Sequence, residues 1–149
     1  MRRSRHGFSL IELVIALVIG GILTGIALSS YGNARGRFAV RGARTAFVTM
    51  HARARAQAIE RGETVRVVVA SSGDSVYLRA GTTTLETIRF GGELGVNLRG
   101  TGIGTTLCMN SRGYGDTGCN TFTTSATVLF VQGTDSVSVT ILPLGQLVY

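Results

Sequence analysis

An α+β fold is predicted by three observations. The front of the chain is proline-free and patterned as helix, a glycine stops that pattern, and short alternating segments separated by glycine turns follow it. The chain has 149 residues, which is one domain's worth, and about 115 remain for a core once the first thirty or so are set aside. Its net charge of +7 comes from 15 arginines with no lysine. Arginine alone favours fixed, always-charged contacts with carboxylate or phosphate, although a coding habit would give the same composition.

The first element is apolar. Residues 8–28 read FSLIELVIALVIGGILTGIAL, with Glu12 as the only charge, and a helix of that length spans roughly 31 Å, the hydrocarbon thickness of a bilayer. Arg2, Arg3 and Arg5 precede it, so the positive-inside rule keeps the N-terminus in the cytoplasm and puts the rest of the chain outside it. A secretory signal would have a shorter apolar core and a small-x-small cleavage site, for which Gly25-Ile26-Ala27 could pass. A plain anchor explains the length but leaves Glu12 unexplained, because a carboxylate near the start of such a helix costs free energy and is usually functional. Gly21 and Gly25 form a small-xxx-small pair that suits close helix packing, and helix flexibility at Gly20 and Gly21 is an equal reading.

The string Gly7-Phe8-Ser9-Leu10-Ile11-Glu12 after a short basic leader closely resembles the class III signal of type IV pilins and pseudopilins. That resemblance implies a pilin fold, cleavage between Gly7 and Phe8 by a prepilin peptidase, and N-methylation of Phe8. It implies too that Glu12, as an assembly residue, pairs with the N-terminal amine of a neighbouring subunit, an attraction that strengthens in low dielectric, the alternative being that Glu12 only aids recruitment to the assembly platform. The implied partners are other pilins or pseudopilins in a filament, the prepilin peptidase and an inner-membrane assembly platform, with the chain a single-pass inner-membrane protein until incorporated. Many pilins carry a proline just after the apolar segment, where this chain has Leu28-Ser29-Ser30-Tyr31. The resulting organisation is a leader over 1–7, a transmembrane and assembly helix over 8–30, an amphipathic periplasmic helix over 31–62 and an antiparallel β domain over 63–149.

In the second helical stretch, Val40, Ala43, Phe47, Met50, Ala54 and Ala58 recur at three- and four-residue steps, so that face is expected to dock on the sheet. Gly62 is the predicted C-cap. The segment ARTAFVTMHARARAQAIERGETVRV resembles the helix-to-first-strand region of the GspH/FimT branch, which comprises minor pseudopilins of type II secretion and minor pilins of type IV pili. Arg37, Arg41, Arg44 and Arg55 fall on one flank of this helix with His51 among them. Such a stripe suits DNA or another anion. A solvated face, anionic lipid headgroups or acids on neighbouring subunits are the alternatives.

Strands are predicted at 65–69, 75–79, 85–90, 105–109, 126–132 and 136–142, with turns at 72–74, 91–92, 100–104 and 133–135. Cys108 and Cys119 are the only cysteines. In an oxidising compartment they would bridge, closing a loop of about twelve residues with about 3 kcal/mol of stabilisation, the alternative being two buried free thiols. Gly113 to Gly118 spell G-x-G-x-x-G, but without the strand before and helix after that a nucleotide site needs. The ending LPLGQLVY resembles the glycine turn and last strand of the GspH/FimT domain. DNA-binding members of that branch carry arginine after this glycine, where the chain has Gln146, Leu147, Val148 and Tyr149.

No catalytic reading emerges. His51 is the single histidine beyond the leader, the carboxylates are scattered, and no H-E-x-x-H, C-x-x-C or G-x-S-x-G occurs, so neither a metal site nor a cofactor is implied. The expected role is structural: a minor pilin or pseudopilin of a type II secretion pseudopilus or type IV pilus. DNA capture for uptake is the alternative.

Overall fold

The computed structural model describes residues 9–149, except for the side chains of residues 27–33. Helix α1 covers Leu10–Arg61 and starts where the Ser9 carbonyl accepts the amides of Glu12 and Leu13. The strands are β1 (Val65–Val69), β2 (Ser75–Ala80), β3 (Thr83–Arg89), β4 (Asn97–Arg99), β5 (Thr106–Met109), β6 (Ala126–Gln132), β7 (Asp135–Ile141) and β8 (Leu147–Val148), with a short helix α2 (Phe90–Leu94) between β3 and β4. They form two antiparallel sheets, ordered β3-β2-β1-β5 and β4-β6-β7-β8. The chain divides into two compact units, one ending at Arg35 and the other Gly36–Tyr149.

In the first unit the apolar side chains of residues 10–26 are exposed, and Glu12 is exposed among them. Among the described residues no helix is long and apolar enough to cross a membrane. The side chains described there, over 10–26, are only part of the apolar run 8–28.

In the second unit Val40, Ala43, Phe47, Met50, Ala54 and Ala58 are all buried, the stripe the sequence spacing predicts. They share one core with Val65, Val67 and Val69 of β1, Val76 and Leu78 of β2, and Val128, Phe130, Val139 and Ile141 of β6 and β7. Alternation decides which side chains take part, since the buried positions of β1 are every second residue. Phe130 is the hub. Its ring lies edge-on to Phe47 at 5.7 Å between centroids and tilted against Phe90 at 5.6 Å, geometries favoured by the ring quadrupoles.

Helix α1 ends as expected, with Gly62 in the left-handed region at φ 66. Phe90 does not continue β3. It opens α2, which closes at Gly95, and the amide of Gly91 donates to Asp74 O at 3.1 Å. Strand β4 went unpredicted because three residues with one buried side chain, Leu98, carry no periodic signal. Its pairing of Leu98 with Phe130 is a tertiary matter.

Candidate functional site

The cleavage residues Gly7 and Phe8 lie outside the described residues. Glu12 sits in the first turn of α1, where the partial positive charge of unpaired amides favours a carboxylate. Cys108 and Cys119 are joined by a disulfide with Cα atoms 5.8 Å apart, tying the 110–119 loop to β5. Within that loop Gly115 meets the C-terminal segment, its amide donating to Leu144 O at 2.9 Å. Its backbone approaches Pro143, Leu144 and Gly145 so closely that a Cβ there would collide with backbone atoms. Both glycines of this contact serve packing: Gly145, at φ 78, adopts the left-handed turn that sends the chain back into β8.

That turn lands on the arginine flank of α1. Arg55 Nη2 donates to Gly145 O at 3.0 Å. The guanidinium of Arg44 lies 5.3 Å from the centre of the Tyr149 ring, in cation–π contact. Arg37 Nε is 3.6 Å from Asp135 Oδ1, at the mouth of the β6–β7 turn. Arg41 is exposed. The four residues therefore share one flank, as the wheel predicts, but three of them are engaged by β7 or the C-terminal segment. Sequence reasoning found the stripe and missed its cover, because nothing in residues 143–149 marks them as partners of a helix ninety residues earlier in the chain.

A groove of about 380 Å³ lies here, with His51, Arg55, Gly145, Gln146, Leu147 and Tyr149 among its walls. His51 is 6% exposed. Burial, and secondarily the positive charge of Arg55, push its pKa down to about 4, against a hydrogen bond with the Gly145 backbone that favours the charged ring. The imidazole is thus neutral near pH 7. His51 Nε2 and Arg55 Nε are buried without a hydrogen-bond partner in the protein. A neutral ring stands beside a guanidinium, with no Asp or Glu side chain among the groove's walls. Among the described residues no three His, Cys, Asp or Glu side chains gather as a metal site.

An N-terminal helix packed on antiparallel sheets, with an exposed apolar first stretch and Glu12 in its opening turn, defines a pilin-like α+β fold. Residues 2–28 match the prokaryotic N-terminal methylation motif. The fold is similar to that of the type IV minor pilin FimU of Pseudomonas aeruginosa strain PAO1. In one crystal form of FimU the TM-score is 0.55 at 13% identity, covering 74% of this chain and 87% of FimU. In a second crystal form the TM-score is 0.52 at 13% identity, covering 72% and 89%. Among curated proteins none matches the sequence.

Proposed function

We propose that this chain is a minor pilin or pseudopilin, an assembly subunit of a type IV pilus or a type II secretion pseudopilus. The observation that carries the reading is the methylation motif at residues 2–28, running into an exposed apolar helix with Glu12 in its first turn. In this reading residues 1–7 are removed by a prepilin peptidase and Phe8 becomes the methylated N-terminus. The apolar helix waits in the inner membrane with the β domain in the periplasm. An assembly platform then passes the subunit into the filament, where Glu12 meets the terminal amine of its neighbour.

Intact-protein mass on the chain recovered from membranes tests the first half: loss of residues 1–7 plus one methyl group is expected, and an intact leader would overturn it. The second half is tested by Glu12→Ala. Insertion and cleavage should persist while incorporation into filaments is lost, and undiminished incorporation would remove the role given to Glu12.

DNA capture would have to rest on Arg37, Arg41, Arg44 and Arg55. The contacts that Arg37, Arg44 and Arg55 make within the fold support the structural reading over it. Steeply salt-dependent binding of double-stranded DNA, lost when those four arginines are neutralised, would install DNA capture instead.

A further inference from the structure

Among the arginines outside that flank, two stand face to face on a single sheet. Arg66 of β1 and Arg79 of β2 are directly opposite one another in the antiparallel ladder, and both are exposed on the face of the first sheet that points away from the core. Like charges in directly opposed positions destabilise a strand pair. Among the described residues neither is in an ion pair, whereas Arg37, Arg53 and Arg61 each have a carboxylate within reach. Arg79 is held in place by the Tyr77 ring, its guanidinium carbon 5.4 Å from the ring centre. A groove of about 380 Å³ opens between them, with Thr106, Thr121 and the disulfide completing its wall and no acidic residue lining it.

The hydroxyls have chemistry to spare. Thr121 Oγ1 accepts the Thr106 amide at 2.7 Å, which leaves its own O–H free to donate outward. The Thr121 amide in turn donates to Thr106 O at 3.1 Å, so the segment after Cys119 lies along β5 and carries this hydroxyl to the groove. Two guanidinium forks and a hydroxyl line the groove as donors, together with the apolar Val68. Planar forks match the oxygens of carboxylate and phosphate, which a lone ammonium does not.

We propose that this groove is an oxyanion site, in which Arg66 and Arg79 together clasp one carboxylate or phosphate group and Thr121 donates a further hydrogen bond. The bound anion neutralises the opposed charges, so binding and sheet stability are coupled. The site is separate from the arginine flank of α1 and independent of whether the chain enters a filament.

The test uses the full chain in detergent micelles, titrated with sodium acetate, sodium phosphate and, at matched ionic strength, sodium chloride. Arginine Nε–H resonances and the Thr121 backbone amide are followed by NMR, and the thermal midpoint is measured in parallel. Saturable shifts at Arg66, Arg79 and Thr121 with acetate or phosphate, absent with chloride, are expected. Tighter binding of acetate points to a side-chain carboxylate as the natural ligand, and tighter binding of phosphate to a phosphate-bearing one. Arg66→Lys should bind about tenfold more weakly, because it keeps the charge and loses the fork. Arg66→Gln should melt no lower than the parent without anion and lose the rise in midpoint that phosphate gives the parent. Shifts that chloride reproduces, that never saturate, or that persist unchanged in Arg66→Gln would overturn the site.

Discussion

The two halves of α1 are built on opposite rules. Over residues 10–26 the helix carries apolar side chains on every side, Glu12 being its one charge, and Leu10 is 81% and Leu17 68% exposed. Over residues 40–58 apolar side chains occupy a single stripe, and Phe47 is 1% and Met50 0% exposed. A helix apolar all round needs an apolar surrounding from outside the chain, lipid or other helices, whereas a stripe is satisfied by one sheet face. Burying a leucine or isoleucine stabilises by about 1.5–3 kcal/mol, so the first half carries a large unspent tendency to associate and the second half has already spent its own. Within one element, then, one half leaves its apolar side chains to surroundings the chain does not supply and the other buries them in the chain's own core.

The sharpest way to break this division is a pair of truncations. Phe47→Ala should lower the unfolding free energy by about 3–5 kcal/mol, since it removes a ring packed on Phe130 and leaves a cavity between helix and sheet. Leu17→Ala should leave the same quantity within about 0.5 kcal/mol. Denaturant titration followed by circular dichroism reads both, and comparable losses from the two variants would erase the distinction. The next effect in size belongs to the disulfide. Cys108 and Cys119 are separated by 11 positions, and replacing both by serine should cost about 3 kcal/mol in the chain-entropy account. An unfolding midpoint insensitive to reductant would show that the loop's hydrogen bonds, such as Cys108 N–H to Asn120 Oδ1 at 2.8 Å, suffice without it.

The same division explains what the sequence revealed. The stripe from Val40 to Ala58, the strands at 65–69 and 126–132, and the stop at Gly62 were legible because each follows a period or a backbone requirement carried by its own residues. Glu12 stands out in the sequence because a charge in an apolar run is costly, and its exposed place in the first turn of α1 is what the structure adds. The fate of His51, Arg44 and Arg55 was not legible, for their surroundings come from Gly145 and Tyr149, distant in sequence. Nor was the facing of Arg66 and Arg79, which depends on the register of β1 against β2.

His51 supplies a third prediction, on the folded side of the comparison. Its folded pKa, about 4, lies below the ordinary value of 6.5, so between those pH values the unfolded chain binds the extra proton. Stability therefore rises with pH across that window and is lost as pH falls through it, by roughly 3 kcal/mol in total. His51→Gln should flatten this slope. Asp74, held below the usual carboxylate range by hydrogen bonds from Ser72 and Ser75, gives a loss in the same direction but only at lower pH, so the two are separable by denaturant titrations on either side of pH 4.

The smallest effects lie along the arginine flank, and they grade the distance between fold and surface. Arg55→Met removes a charged hydrogen bond to the Gly145 carbonyl and should cost about 1–2 kcal/mol. It also takes away the charge that, after burial, helps depress the His51 pKa, so the lower edge of the pH window should rise and the window narrow in this variant. Arg44→Ala should cost about 0.5 kcal/mol for its contact with Tyr149. Arg37→Ala, which removes a side chain 69% exposed from its pairing with Asp135, should cost less still, and Arg41→Ala should cost nothing measurable. A flat series would mean that the C-terminal segment adds nothing to the helix it covers, and all four arginines would then be free for an external anion. A graded one leaves Arg41 as the arginine of this flank whose loss could alter binding to a partner without first loosening the fold.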